Sequence, residues 1–113
     1  MQRLCFALDL IDDPAVIAEY ERWHLPENAW PEVTEAIKAA GVLALEIYRV
    51  ENRLLMVMEV RDDFSAEAKA AADSHNPRVS AWEALMWKFQ KALPSAKEGE
   101  KWMPMKRIYT LPA

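Results

Sequence analysis

The 113-residue chain predicts an α+β fold, a ferredoxin-like β-α-β-β-α-β plait, in a single domain spanning residues 1–113. Three observations carry that prediction. Apolar residues recur with period two in some segments and with helical period in others. Proline, glycine and Asx punctuation falls between those segments. The two central strand segments are separated by only two residues, as an antiparallel hairpin requires.

Leu4–Ile11 reads as the first strand, with Leu4, Phe6, Leu8 and Leu10 on one face and Cys5, Ala7, Asp9 and Ile11 on the other. Asp13-Pro14 starts a helix, with an acidic N-cap and proline at the first helical position. It runs to about Trp23 or His24, because Pro26 cannot continue it. A second start follows at Pro31, and "PEVTEAIKAAG" ends on Gly41, a residue suited to the C′ position.

Val42–Val50 and Arg53–Arg61 read as a hairpin turning at Glu51-Asn52, with Asn52 tolerant of the left-handed conformation. In that register Leu43, Leu45, Ile47, Leu54, Met56, Met58 and Val60 share a face that only Arg49 interrupts. Such a face needs helices over it. The opposite face carries Val42, Ala44, Glu46, Tyr48, Leu55, Val57 and Glu59, apolar enough to suggest cover by a partner subunit. Glu46 and Glu59 read there as interface or solvent contacts.

Asp63 or Ser65 would cap "SAEAKAAADSH", and Asn76-Pro77 breaks it. "RVSAWEALMWKFQKAL" carries a helical stripe of Val79, Trp82, Leu85, Met86, Phe89 and Leu93 that Pro94 stops. "PSAKEGEKW" is a loop. Met103–Leu111 is expected as the last strand, entered at an edge or bulge because of Pro104.

Composition removes several function classes. Hydrophobic residues make up 52%, enough for a core without disulfides. There are two glycines and neither a GxGxxG nor a GxxxxGK[ST] string, which excludes those phosphate-cradling loops. The lone Cys5 sits in an apolar run and reads as a buried, inert thiol. A net charge of −4 with no basic block argues against nucleic acid. No signal-peptide or membrane-span pattern occurs, so no membrane partner and a cytoplasmic location are expected. His24, His75 and Cys5 form no recognisable metal-ligand spacing, so no metal is expected, and G-x-S-x-G is absent.

Two features could carry chemistry. Tyr20 and His24 lie one helical turn apart on one face, and phenol with imidazole can act as a general acid/base pair near neutral pH. An aromatic core residue beside a surface histidine gives the same spacing. Five tryptophans supply indole N–H donors that need partners when buried. They could pack the core, Trp82 and Trp87 among them, or wall a polar ligand pocket on which the C–H faces of a sugar stack.

The ordered series "EYERWH", "AWPEV", "EIYR", "NRLLMVMEV", "NPRVSAWEALM" and "YTLP" resembles the L-rhamnose mutarotase family over nearly the whole chain. The resemblance implies a homodimer of ferredoxin-like subunits of the dimeric α/β barrel type. It implies an isomerase that interconverts the α and β anomers of a monosaccharide, a 6-deoxy sugar, without a cofactor. His24 matches the family's acid/base histidine, Tyr20 its substrate tyrosine and Trp30 the tryptophan of its "WPE". Adjacent tryptophans in the family fall on Trp82 and Glu83, and a strand tyrosine falls on Leu45. Trp87, one turn beyond Glu83, could fill the missing wall, whereas Trp23 reads as packing.

The chain also has two more residues between His24 and Trp30 than the family pattern. These departures sit at substrate-facing positions and bear on the sugar more than on the reaction; "WEALMWK" resembles a subgroup associated with L-fucose, which makes L-fucose as well supported as L-rhamnose. Two other readings stay open: a cofactor-independent monooxygenase on the same fold, and a sugar-binding dimer without turnover.

Overall fold

A computed structural model describes residues 1–113. Strand β1 (Gln2–Leu10) leads into helices α1 (Pro14–Trp23) and α2 (Pro31–Ala39). The hairpin β2 (Val42–Val50) and β3 (Arg53–Val60) follows, then α3 (Ala66–Ser74), α4 (Pro77–Trp87) and two short strands, β4 (Gln90–Lys91) and β5 (Met103–Pro104). The antiparallel sheet runs β2-β3-β1-β4, with β5 also on β1. This is the ferredoxin-like order with each helical layer element and the last strand divided in two.

Local chemistry sets most boundaries. The Asp13 carboxylate accepts from the backbone N–H of Ala15 at 2.8 Å, and Ser65 Oγ accepts from Ala68 at 3.1 Å. Asn76 Oδ1 accepts from Arg78 at 3.1 Å and Val79 at 3.3 Å. Each such cap contributes on the order of 1 kcal/mol. Gly41 follows α2 with φ of +96°, a conformation that a side chain resists.

Four expectations are corrected by pairing geometry. A bulge between Val42 and Ala44 turns Val42 into the core and leaves Leu43 exposed, the reverse of strict alternation. In the hairpin turn Glu51 takes the positive φ of 53°. Asn52 instead clamps β1: its carbonyl accepts from Leu10 N–H at 2.7 Å and its Nδ2 donates to Leu10 O at 3.1 Å.

The fourth helix stops at Trp87, well before Pro94. Chain beyond it straightens so that Gln90 and Lys91 pair with Leu10 and Asp9 on the open edge of β1. Phe89 and Leu93 therefore leave the helical stripe. The last strand covers only Met103–Pro104, opposite Ala7 and Phe6. In that register Ile108 would meet Gln2, and the chain beyond would have no β1 left to pair with. Ile108, Tyr109 and Leu111 are exposed.

The helices cover one face of the sheet. Leu10, Tyr20, Leu54 and Met86 form one buried cluster, and Val42, Met58 and Val60 form a second. Across the other face Arg3–Glu59 and Asp9–Arg53 ion pairs lie between strands, and Glu46 and Tyr48 are exposed. Arg49, on the helix side, reaches Glu21 of α1 at 3.3 Å. Only 11 residues are buried, so much apolar surface on the single chain is left uncovered.

Candidate active site

A cavity of about 440 Å³ lies between the helices and the covered sheet face, within the range of small-molecule sites. Phe6, Leu45, Ile47, Met56 and Met58 rise from the strands to form an apolar floor. The polar and aromatic groups come mainly from α1, the loop before α2, α4 and the segment before β5, with Lys69 and Asp73 from α3 and Gln90 from β4. Of the residues singled out from the sequence, Tyr20, His24, Trp30, Leu45, Trp82 and Glu83 are brought together on its walls.

The helical spacing of Tyr20 and His24 places their ring centroids 4.4 Å apart. His24 is the C-cap residue of α1, and its Nδ1 lies 2.8 Å from the Tyr20 carbonyl oxygen. A carbonyl can only accept, so Nδ1 carries the proton and Nε2 of the neutral ring keeps a lone pair. Burial of the ring disfavours the imidazolium and lowers the pKa below its usual 6.5, while the bond to the Tyr20 carbonyl opposes that shift. The residue still keeps contact with solvent.

Tyr20 differs sharply, being only 3% exposed. Burial drives its pKa up to about 12; a hydrogen bond from Gln90 opposes the rise and the Glu83 charge adds to it. Tyr20 therefore stays a neutral phenol, with a hydrogen it can donate. Gln90 Nε2 approaches Tyr20 Oη at 3.4 Å. The other half of that carboxamide, Oε1, is buried with no protein donor in reach. An acceptor left that way costs about 1–3 kcal/mol.

Trp23 and Trp30 cluster around Trp82. Its ring meets Trp30 at 5.2 Å, His24 at 5.7 Å and Trp23 at 6.4 Å, all in tilted or edge-on contact. Trp23 thus lines the cavity as well as packing the core, a wall role the sequence reading did not give it. The segment after His24 forms a 3₁₀ turn at Pro26–Asn28, whose Asn28 Nδ2 donates to Arg22 O at 2.7 Å. That turn delivers Trp30 to the N-cap of α2, where the Arg78 guanidinium lies 4.1 Å from the ring centroid.

Glu83 faces Lys101, with Oε2 to Nζ at 2.5 Å. The Lys101 side chain is only 10% exposed, and its Nζ sits 4.7 Å from the Trp87 ring centroid. Trp87 itself does not line the cavity; α4 turns it outward, and it touches the site only through Lys101. Lys101 and Trp102 are wall residues that no sequence signal marked, because they lie in a loop 18 and 19 positions after Glu83. Lys101→Met would keep the stem packing and release Glu83. The expected result is a KM raised roughly 2- to 10-fold with kcat preserved, read from substrate-concentration series.

The sequence profile of the L-rhamnose mutarotase family matches residues 3–111. The chain belongs to the L-rhamnose mutarotase family. It is an isomerase of the mutarotase type. An L-fucose mutarotase of Xanthomonas campestris pv. campestris is 56% identical over 111 residues, covering 98% of this chain and 89% of that protein. An L-rhamnose mutarotase of Acidiphilium cryptum is 28% identical, covering 99% and 100%.

Among solved structures, an L-rhamnose mutarotase of Formosa agariphila superposes with a TM-score of 0.70 at 20% identity, covering 99% of this chain and 100% of that one. Tetracenomycin F2 cyclase of Streptomyces glaucescens, a type-II polyketide cyclase, gives 0.66 at 19%, covering 100% and 99%. Both likenesses concern the fold alone. Family membership displaces the monooxygenase reading, which fold likeness alone had kept open.

Proposed function

We propose that the protein is an L-fucose mutarotase, with His24 as the proton-transferring group. The 56% identical L-fucose mutarotase carries the choice of sugar. The apposition of His24 and Tyr20 in a tryptophan-walled cavity supports the chemistry.

Neutral His24 takes the proton of the anomeric hydroxyl at Nε2 as the C1–O5 bond breaks. The departing ring oxygen receives a proton from the imidazolium, and the Tyr20 hydroxyl stabilises developing charge by donating to it. The open-chain aldehyde rotates about C1–C2, and the same transfers in reverse close the ring on the other face. The proton count balances without a metal or cofactor. Trp30 and Trp82 supply faces for the sugar C–H groups, Glu83 accepts from hydroxyls, and Leu45 gives an apolar surface for the deoxy carbon. Trp87 acts only at one remove, through Lys101.

A base held neutral below pH 6.5 has a defined pH signature. The value of kcat/KM is expected to be flat from about pH 7 upward and to fall only on the acid side of 6.5, as His24 protonates. Tyr20, near 12, adds no loss through mildly alkaline pH. An acid limb centred above 6.5 would contradict the assignment.

A homodimer is part of this reading. The exposed apolar residues Leu43, Tyr48 and Val50 and the C-terminal Ile108, Tyr109 and Leu111 support it. Sedimentation equilibrium should return twice the chain mass; the mass of one chain at micromolar concentration would reject it. No helix is long and apolar enough to cross a membrane. Cytoplasmic residence and a free monosaccharide as substrate, with no nucleic-acid or membrane partner, complete the proposal.

A further inference from the structure

We propose that Gln90 is a positioning residue: its carboxamide hydrogen-bonds the Tyr20 hydroxyl and so fixes how the phenol is presented to the sugar. The inference rests on the mutarotase reading and goes beyond it.

The observations are geometric. Gln90 is the one polar side chain among the buried residues, at 6% exposed, and it lies on the cavity wall. Its Nε2 is 3.4 Å from Tyr20 Oη, a contact between residues 70 positions apart. Tyr20 Oη can donate one hydrogen and accept two bonds. A carboxamide can donate to that oxygen or accept its hydrogen, and in either case the contact limits rotation of the phenolic hydroxyl. The bond is long in the free protein, as catalytic contacts often are before substrate tightens them.

Cost supplies the second argument. The same carboxamide keeps Oε1 buried and unpartnered. Methionine or leucine would fill this place without that penalty. A local rule broken in a buried position is expected where function needs the group. Short strand β4 explains how the group is held, since the backbone of Gln90 pairs with Leu10 of β1.

A double-mutant cycle in kcat on L-fucose tests this, using wild type, Gln90→Met, Tyr20→Phe and the double variant. Gln90→Met should lower kcat roughly 10- to 100-fold, the scale of a misplaced catalytic group. KM should stay within about twofold, and Tm should equal or exceed that of wild type. In the Tyr20→Phe background the same change should have no further effect on kcat, because no hydroxyl remains to orient.

Additive losses, an unchanged kcat in Gln90→Met, or a loss that tracks a fallen Tm would each overturn the proposal. Should Gln90→Met fold poorly, Gln90→Leu carries the same cycle. Wild-type protein that accelerates exchange of no sugar would sink the mutarotase reading itself, and this inference with it. Active wild type with additive losses removes Gln90 alone.

Discussion

Replacing His24 with alanine lowers the catalysed rate of anomer exchange by roughly 10²–10⁴-fold, the usual worth of a positioned acid/base group. The fold should survive the change. His24 closes α1 through its backbone, whose N–H donates to Glu21 O at 3.0 Å, and that bond does not need the imidazole. The ring belongs to neither buried cluster. What disappears is the Nε2 lone pair that the Tyr20 carbonyl selects by holding the Nδ1 proton. Saturation-transfer NMR on the variant, paired with thermal unfolding, separates these effects: a large rate loss with Tm nearly unchanged. Exchange at the wild-type rate would remove His24 from the mechanism.

Trp82→Ala should act on both quantities at once. This ring touches Trp23, Trp30 and His24 and packs against the Leu10–Tyr20–Leu54–Met86 cluster. Fully buried tryptophans cost about 3–5 kcal/mol on truncation, and this half-buried one should cost about 2–3 kcal/mol. Tm then falls by roughly 10 °C. The His24 ring loses a neighbour that fixes its tilt, and the sugar loses a stacking face, so kcat/KM should drop by about 10²-fold. Trp82→Phe, which restores an aromatic face, should recover most of the stability and part of the activity. A Trp82→Ala variant with wild-type Tm and activity would show that the cluster is incidental.

The parts of this architecture that were legible in the sequence are those fixed by short-range chemistry. Asp13 and Ser65 cap helices because each side chain reaches a backbone N–H two or three residues on, and Asn76-Pro77, read only as a break, proves to cap α4 in the same way. Gly41 ends α2 because its φ disfavours other residues. The Tyr20–His24 pair follows from helical spacing alone, and its assignment to chemistry came from family resemblance.

What was not legible depends on contacts across the sheet. Periodicity carried α4 on to Leu93, but the open edge of β1 draws Gln90 into a strand, and that places its amide beside Tyr20. The bulge that exchanges Val42 for Leu43 leaves no mark in the apolar pattern, since valine and leucine serve either face. Lys101 reaches Glu83 across a loop, and Trp87 points away from a wall that helical spacing alone allowed it to join. Trp23 lines the cavity because Trp82 approaches it from another helix, a relation no local spacing encodes.

The central claim is that this cavity accelerates anomer exchange of a 6-deoxy sugar, with L-fucose preferred. Saturation-transfer NMR on the wild-type protein with L-fucose and L-rhamnose in parallel tests it most directly. The account predicts magnetisation transfer between the α and β anomeric protons of L-fucose well above the uncatalysed level, and weaker transfer for L-rhamnose. Transfer at the uncatalysed level for both sugars would contradict it.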